Sequence, residues 1–77
     1  MEPKKCIVKM IWSEESNTWY TDSDDIQCMH TGAATFEELV ERVRLIAPEM
    51  LELNHNYTGP IEIHYETLRK EILSVAS

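Results

Sequence analysis

Carboxylate side chains concentrate in one short segment, where Asp22, Asp24 and Asp25 follow the aromatic pair Trp19-Tyr20. Carboxylates this close together could hold Mg²⁺ or Ca²⁺, since both ions prefer oxygen ligands. The segment lacks the glycine and the distal glutamate of a calcium-binding loop, however, and Asp and Ser are common turn residues. We therefore interpret it as the end of a strand entering a turn, and we expect no metal ion or other cofactor.

The histidines and cysteines form no motif known for catalysis or metal binding. His30, His55 and His64 fall on three different predicted elements, and none belongs to the i, i+4 pair of helical zinc sites. Cys6 and Cys28 belong to no C-x-x-C pair, and we interpret them as buried free thiols. A nucleophilic serine or cysteine would need a nearby histidine and carboxylate, and no Gly-rich elbow indicates one. The sequence predicts a protein without enzymatic activity.

Length and composition favour one small folded domain that spans residues 1–77. No apolar run approaches the roughly 18 residues of a membrane helix, and no secretory signal begins the chain, so we expect a cytoplasmic protein that does not enter a membrane. The net charge of -7 argues against direct binding to nucleic acid, which requires clustered Lys and Arg. The same negative charge is compatible with a basic protein partner.

Strand patterns occur on both sides of one helical pattern. Residues 5–12 are typical of a strand, and residues 18–21 of its hairpin partner. A brief third strand is predicted around residues 26–30, and the alternating segment 61–66 is predicted as a last strand buried on one face. The segment 68–76 fits either a continued strand or a helix.

The helix signal is the strongest local pattern. Thr35 and Glu38 fit a capping box, in which the Thr35 hydroxyl accepts a bond from the Glu38 amide and the Glu38 carboxylate accepts one from the Thr35 amide. Apolar residues then recur at spacings of three and four, while Pro48 predicts a kink or a second short helix. The apolar positions are Phe36, Leu39, Val40, Val43, Ile46, Ala47, Met50 and Leu51.

The first predicted strand has apolar residues on both faces. Its even-numbered side chains, from Cys6 to Trp12, share one face, while Ile7 and Ile11 lie on the other. Because one amphipathic helix covers only one face of a sheet, Ile7 and Ile11 need another cover. Self-association or a partner protein would cover them, and we expect these two residues to form the interface of a homodimer or larger homo-oligomer.

Several segments together resemble a small bacterial domain family grouped with HicB-type antitoxins. The resemblance covers residues 5–66 and depends most on Ser-Asp-Asp-Ile at 23–26 and Pro-Glu-Met-Leu-Glu-Leu-Asn at 48–54. In that family Asp-Ile is commonly followed by Pro-Gly-Leu, whereas residues 27–29 of this chain are Gln-Cys-Met. The chain therefore departs from the family pattern where the third strand is expected.

The resemblance implies an α+β fold, with a three-stranded antiparallel sheet, one helix packed across it and a further strand. This β-β-β-α-β order is likened to a truncated RNase H-like domain. HicB antitoxins bind and neutralise HicA toxins, which are small basic RNA-cleaving proteins. The resemblance thus implies a non-enzymatic interaction module, and we take Asp22, Asp24 and Asp25 as candidate contacts for a basic toxin.

Two alternatives to the antitoxin hypothesis stay open. One is a stand-alone oligomeric domain with a scaffolding or small-ligand-binding role and no toxin partner. The other is a remnant metal-dependent nuclease that uses the segment from Asp22 to Asp25. Many HicB proteins also carry a DNA-binding segment that binds their own promoter. The residues after Glu66 are few and weakly basic, so we do not expect this chain alone to regulate a promoter.

Overall fold

Four strands and one helix make up the part of the chain that the computed structural model describes, residues 2–70 and 73–75. Their order along the chain is β-β-β-α-β, and the predicted α+β class is confirmed. The elements are β1 (Lys4–Ser13), β2 (Thr18–Asp22), β3 (Gly32–Ala33), α1 (Phe36–His55) and β4 (Ile61–Leu68).

The four strands form one mixed sheet in the order β3-β2-β1-β4. β2 pairs antiparallel with β1 and β3, and β1 and β2 form the predicted hairpin. β4 pairs with β1 in parallel, which corrects the expected antiparallel three-stranded sheet: the last strand completes the same sheet at the other edge of β1. The long connection that contains α1 permits this direction, since parallel neighbours need a crossover of a dozen or more residues.

The third strand lies at Gly32–Ala33, so its predicted position at residues 26–30 is wrong. Ile26 and Met29 are both buried, and their spacing of three residues does not fit the alternation of a strand. Between them, Cys28 has a left-handed φ of 65° that turns the chain. The apolar residues that suggested a strand instead anchor a loop to the core.

Both ends of α1 are capped by local hydrogen bonds. The Thr35 hydroxyl accepts from the Glu38 amide at 3.2 Å, as predicted. The reciprocal bond from the Thr35 amide to the Glu38 carboxylate is not formed among the described residues. At the other end Asn56 is left-handed, and the Tyr57 amide donates to the Leu51 carbonyl at 3.1 Å. This bond satisfies a carbonyl of the last turn and ends the helix.

Pro48 lies inside α1 without dividing it, since the helix is continuous over 20 residues. The alternative of a second short helix is therefore wrong. Pro48 has no amide proton to donate to the Arg44 carbonyl, which is the bond that an α-helix normally forms there. Both residues are exposed, so water can bond to that carbonyl instead.

The core lies between α1 and one face of the sheet. Alternate side chains of β1 point into it, as predicted. The Trp19 ring packs edge-on against Trp12 and Phe36, with centroid distances of 5.4 and 5.3 Å, at the hairpin end. The other buried apolar residues are Cys6, Val8, Met10, Ile26, Met29, Ala33, Leu39, Val43, Ala47 and Leu51.

The first residue after β4, Arg69, contacts the aromatic ring of Trp12. β4 continues two residues beyond its predicted end, and residues 69–70 and 73–75 have neither helical nor strand structure. The Arg69 guanidinium carbon lies 4.7 Å from the centroid of the Trp12 ring, in cation–π geometry. Residues 71, 72 and 76 of the segment 68–76, which the sequence predicts as either strand or helix, lie outside the described residues. No helix of the described part has the length and apolarity that crossing a membrane requires.

Candidate functional site

The acidic segment after β2 holds part of β1 in place. β2 pairs with β1 from Lys9 onward, so the preceding residues of β1 need other partners on that side. The Asp25 carboxylate accepts from the Ile7 amide at 2.6 Å, and the Ser23 hydroxyl donates to the Ile7 carbonyl at 2.6 Å. Two side chains therefore take the place of a neighbouring strand.

Further hydrogen bonds fix the same loop. The Ser23 hydroxyl also accepts from the amides of Asp25 and Ile26, at 3.2 and 3.3 Å. The Gln27 amide donates to Nε2 of His55 at 2.9 Å, which joins the loop to the end of α1. The loop is thus built into the fold, and Ser23 is a residue whose role the sequence did not reveal.

The three carboxylates predicted as partner contacts have different surroundings. Asp25 is bonded to the backbone of β1. Asp22 ends β2 opposite Lys9, and Asp24 lies in the loop; both are exposed. Within residues 2–70 and 73–75, no group of three His, Cys, Asp or Glu side chains is placed to hold a metal ion.

The two cysteines differ in accessibility. Cys6 is fully buried, as predicted, and burial raises the pKa of its thiol. Cys28 is exposed in a turn, so the prediction that it is buried is wrong. Because the exposed thiolate is the reactive species, we expect iodoacetamide to modify only Cys28 in the native protein and both residues in denaturant. Intact mass spectrometry counts the modifications. Native modification of Cys6 at the rate of Cys28 would contradict this packing.

The side of the sheet opposite α1 carries no other described element, and we call it the open face. The pairing of the strands fixes which side chains lie on it, because directly paired residues point to the same side of a sheet. These are Lys5, Ile7, Lys9, Ile11, Ser13, Thr18, Tyr20, Asp22, Glu62, His64, Glu66 and Leu68.

An apolar row crosses three strands of the open face. The register places Ile11 between Tyr20 on β2 and Leu68 on β4. Tyr20 is 43% and Leu68 52% exposed, while Ile11 is half-buried between them. Ile7 lies on the same face of β1 and is also half-buried. Both residues predicted for an interface therefore lie on the uncovered side of the sheet.

Charged side chains border this apolar row. The adjacent row places Lys9 between Asp22 and Glu66, so two carboxylates flank one ammonium group. Further along β4, Nε2 of His64 lies 2.5 Å from Oε2 of Glu62, and this hydrogen bond lowers the pKa of the Glu62 carboxyl. An apolar centre with a charged border is the arrangement found in protein–protein contacts.

Two members of the apolar row were not among the candidate residues. The sequence predicts Tyr20 in the hairpin but not the face on which it lies, and it leaves open whether the segment that begins at Leu68 is strand or helix. The alternation of residues 61–66, continued by two residues, would have placed Leu68 on the same side as Glu62 and Glu66. Only the register of three strands shows that Tyr20 and Leu68 flank Ile11.

Comparison with known proteins places this fold in a family. A family model described as a domain of unknown function, DUF1902, matches residues 5–77. The chain belongs to the DUF1902 family. The match includes every strand and the helix of the described DUF1902 domain, apart from the first residue of β1.

A solved structure is similar to this DUF1902 chain. It is the crystal structure of a hypothetical protein from the extremely thermophilic bacterium Thermus thermophilus, with 32% sequence identity and a TM-score of 0.78. The match covers 91% of this chain and 100% of the other, and supports the α+β fold with one helix and a mixed sheet. No curated protein matches the DUF1902 chain.

Proposed function

We propose that this chain is a non-enzymatic protein-interaction module whose open face binds a small basic protein. The observation that carries the proposal is the apolar row of Tyr20, Ile11 and Leu68, which no described element covers. Contiguous apolar side chains on the surface of a small domain are typical of contact sites for other proteins. Tyrosine is also among the residues most enriched in the centres of such contacts.

The carboxylates near the apolar row favour a basic partner. Asp22 and Glu66 lie in the adjacent row, and Asp24 is exposed in the neighbouring loop. Charges at the border of an interface mainly affect the association rate and the choice of partner, and the net charge of -7 adds long-range attraction for a basic protein. Asp22 and Asp24 therefore stay candidate contacts, while Asp25 supports the surface through its bond to Ile7.

The resemblance of residues 5–66 to HicB-type antitoxins favours a toxin as this partner. HicB antitoxins neutralise small basic RNA-cleaving proteins by binding to them, and the acidic charge of this chain suits such a partner. The observed element order supports the likeness to a truncated RNase H-like domain. In this proposal the chain inactivates the toxin by occupying the surface that cleaves RNA.

A second candidate function is a stand-alone oligomeric domain with a scaffolding or small-ligand-binding role. The half-buried positions of Ile7 and Ile11 on the open face favour it, since a second copy could cover them. The two functions differ in what occupies the open face. A basic protein of another sequence supports the first, and only further copies of this chain support the second.

An RNA-cleavage assay tests the toxin proposal. Small proteins that co-purify with the tagged chain would be separated in denaturant, refolded and mixed with RNA. We expect cleavage, and we expect the added chain to stop it at a near-equal molar amount. Leu68→Asp should weaken this inhibition at least about tenfold, because it puts a desolvated carboxylate into the apolar contact.

The matched control is Leu45→Asp, which changes a 77% exposed leucine on the outer side of α1. This variant should inhibit as well as the unaltered chain. Inhibition that is lost equally in both variants would place the contact elsewhere. The absence of any RNA cleavage by the co-purified proteins would contradict the toxin proposal.

A further inference from the structure

The outer edge of β4 is long and unpaired. β4 contains eight residues and ends the strand order of the sheet, so it has a neighbour only on the β1 side. Within the described residues, no backbone hydrogen bond reaches that outer edge. An exposed strand edge of this length is a template for pairing with another strand.

The backbone bond at the start of β4 shows which residues face this edge. The Lys4 amide donates to the Pro60 carbonyl at 3.0 Å, so Pro60 directs its carbonyl toward β1. Along a strand, successive residues direct their amide and carbonyl groups alternately to its two edges, here the edge beside β1 and the free edge. Ile61, Ile63 and Tyr65 therefore direct theirs away from β1, to the free edge.

The side chains of the same three residues form an incompletely covered apolar strip. Ile61, Ile63 and Tyr65 lie on the α1 side of the sheet, where they are half-buried and packed against the margin of the core. α1 itself lies nearest to β2 and β3. The part of the core beside β4 therefore still exposes apolar surface that a partner can bury.

We propose that a second copy of this chain pairs its β4 antiparallel with this β4, about a twofold axis centred on Ile63. Ile63 then faces Ile63 of the second copy, and Ile61 faces Tyr65 of that copy. All of these residues direct their backbone groups to the free edge, so the three facing pairs exchange about six hydrogen bonds. Apolar side chains meet on the α1 side of the joined sheet.

Charge complementarity favours this register over one centred on His64. On the open face it places Glu62 opposite His64 of the second copy, once on each side of the axis. Shifting the axis to His64 would place Glu62 opposite Glu66, and like charges that face each other directly are destabilising. A shift of the second copy by one residue would pair apolar side chains of one β4 with polar side chains of the other, so the apolar residues would not meet on the α1 side.

The dimer joins two four-stranded sheets into one continuous sheet. Both helices then lie on one side, and both open faces lie on the other, free for the partner proposed above. The contact between copies is thus at the β4 edge rather than at Ile7 and Ile11. This inference goes beyond the proposed function and does not depend on it.

Sedimentation equilibrium on the full chain with charge variants tests the dimer. The unaltered protein should have twice the 9.0 kDa chain mass at tens of micromolar. His64→Glu alone places carboxylates opposite one another, and the double variant Glu62→Lys/His64→Lys does the same with ammonium groups. Each should dissociate at least about tenfold more readily, and an equimolar mixture of the two should recover a heterodimer.

The outcomes separate this contact from others. Glu62 and His64 are exposed, so each variant should fold, and circular dichroism would check this. Ile11→Ser on the open face should leave the dimer intact. A monomeric unaltered chain, charge variants that dimerise normally, or a dimer that dissociates only with Ile11→Ser would overturn the proposal.

Discussion

Replacing Leu39 with alanine should lower the free energy of unfolding by about 2–5 kcal/mol. Leu39 is fully buried on the sheet side of α1, and a shorter side chain leaves a cavity that the packed core can close only in part. Domains are stable by only about 5–15 kcal/mol in total. For a chain of this length each kcal/mol lowers the melting temperature by about 4–8 °C, so the loss is large.

Urea unfolding followed by circular dichroism measures the effect. Leu45→Ala is the matched control, because Leu45 lies on the same helix and is 77% exposed. Its unfolding free energy should stay within about 0.5 kcal/mol of the original value. Similar losses for the two variants would show that α1 does not present Leu39 to the sheet.

Replacing Ser23 with alanine should lower the free energy of unfolding by about 1–3 kcal/mol, although Ser23 lies in a loop. Its hydroxyl donates to the Ile7 carbonyl and accepts from the amides of Asp25 and Ile26. Alanine removes all three bonds and loosens the segment that inserts Ile26, which is fully buried, into the core. Equilibrium unfolding in urea gives the size of the loss.

Ser16→Ala is the control for this prediction. Ser16 lies in the exposed hairpin turn, and its hydroxyl bonds only to the hydroxyls of Ser13 and Thr18 within the described residues. Its replacement should change the stability by less than about 0.5 kcal/mol. Hydrogen exchange adds a local readout, since Asp25→Ala should speed exchange of the Ile7 amide. An equal cost for both serine variants, or an Ile7 amide that exchanges at its former rate, would contradict the role of the loop.

The elements predicted correctly are those with strong local patterns. The cap at Thr35, the apolar spacing along α1 and the alternation of residues 61–66 each depend on residues a few positions apart. The β1–β2 hairpin joins neighbouring segments through a short turn, so its pairing also follows from the sequence.

The errors came from contacts between distant segments. Periodicity does not show that β4 joins β1 in parallel, because that pairing connects residues more than 50 positions apart. It also does not show that Ser23 and Asp25 replace a strand beside Ile7. The apolar residues of segment 26–30 wrongly predict a strand, because burial through loop packing and burial in a sheet select similar residues.

The sequence predicts only part of the open face, because periodicity acts within one strand and not between strands. Alternation along β1 placed Ile7 and Ile11 opposite the core, and the structure puts them there. The neighbours that make a continuous apolar row, Tyr20 and Leu68, depend on the register of β2 and β4. A sequence pattern shows which side chains share a face of one strand, while strand pairing decides which of them touch.

Affinity capture from the native cell tests the proposed partner most directly. The tagged chain, Leu68→Asp and Leu45→Asp would be purified in parallel, and the bound proteins identified and quantified by mass spectrometry. We expect one small basic protein in near-equal amount with the unaltered chain and with Leu45→Asp, and little of it with Leu68→Asp. Recovery of the chain with only its own copies, or equal capture by Leu68→Asp, would contradict binding of a basic protein at the open face.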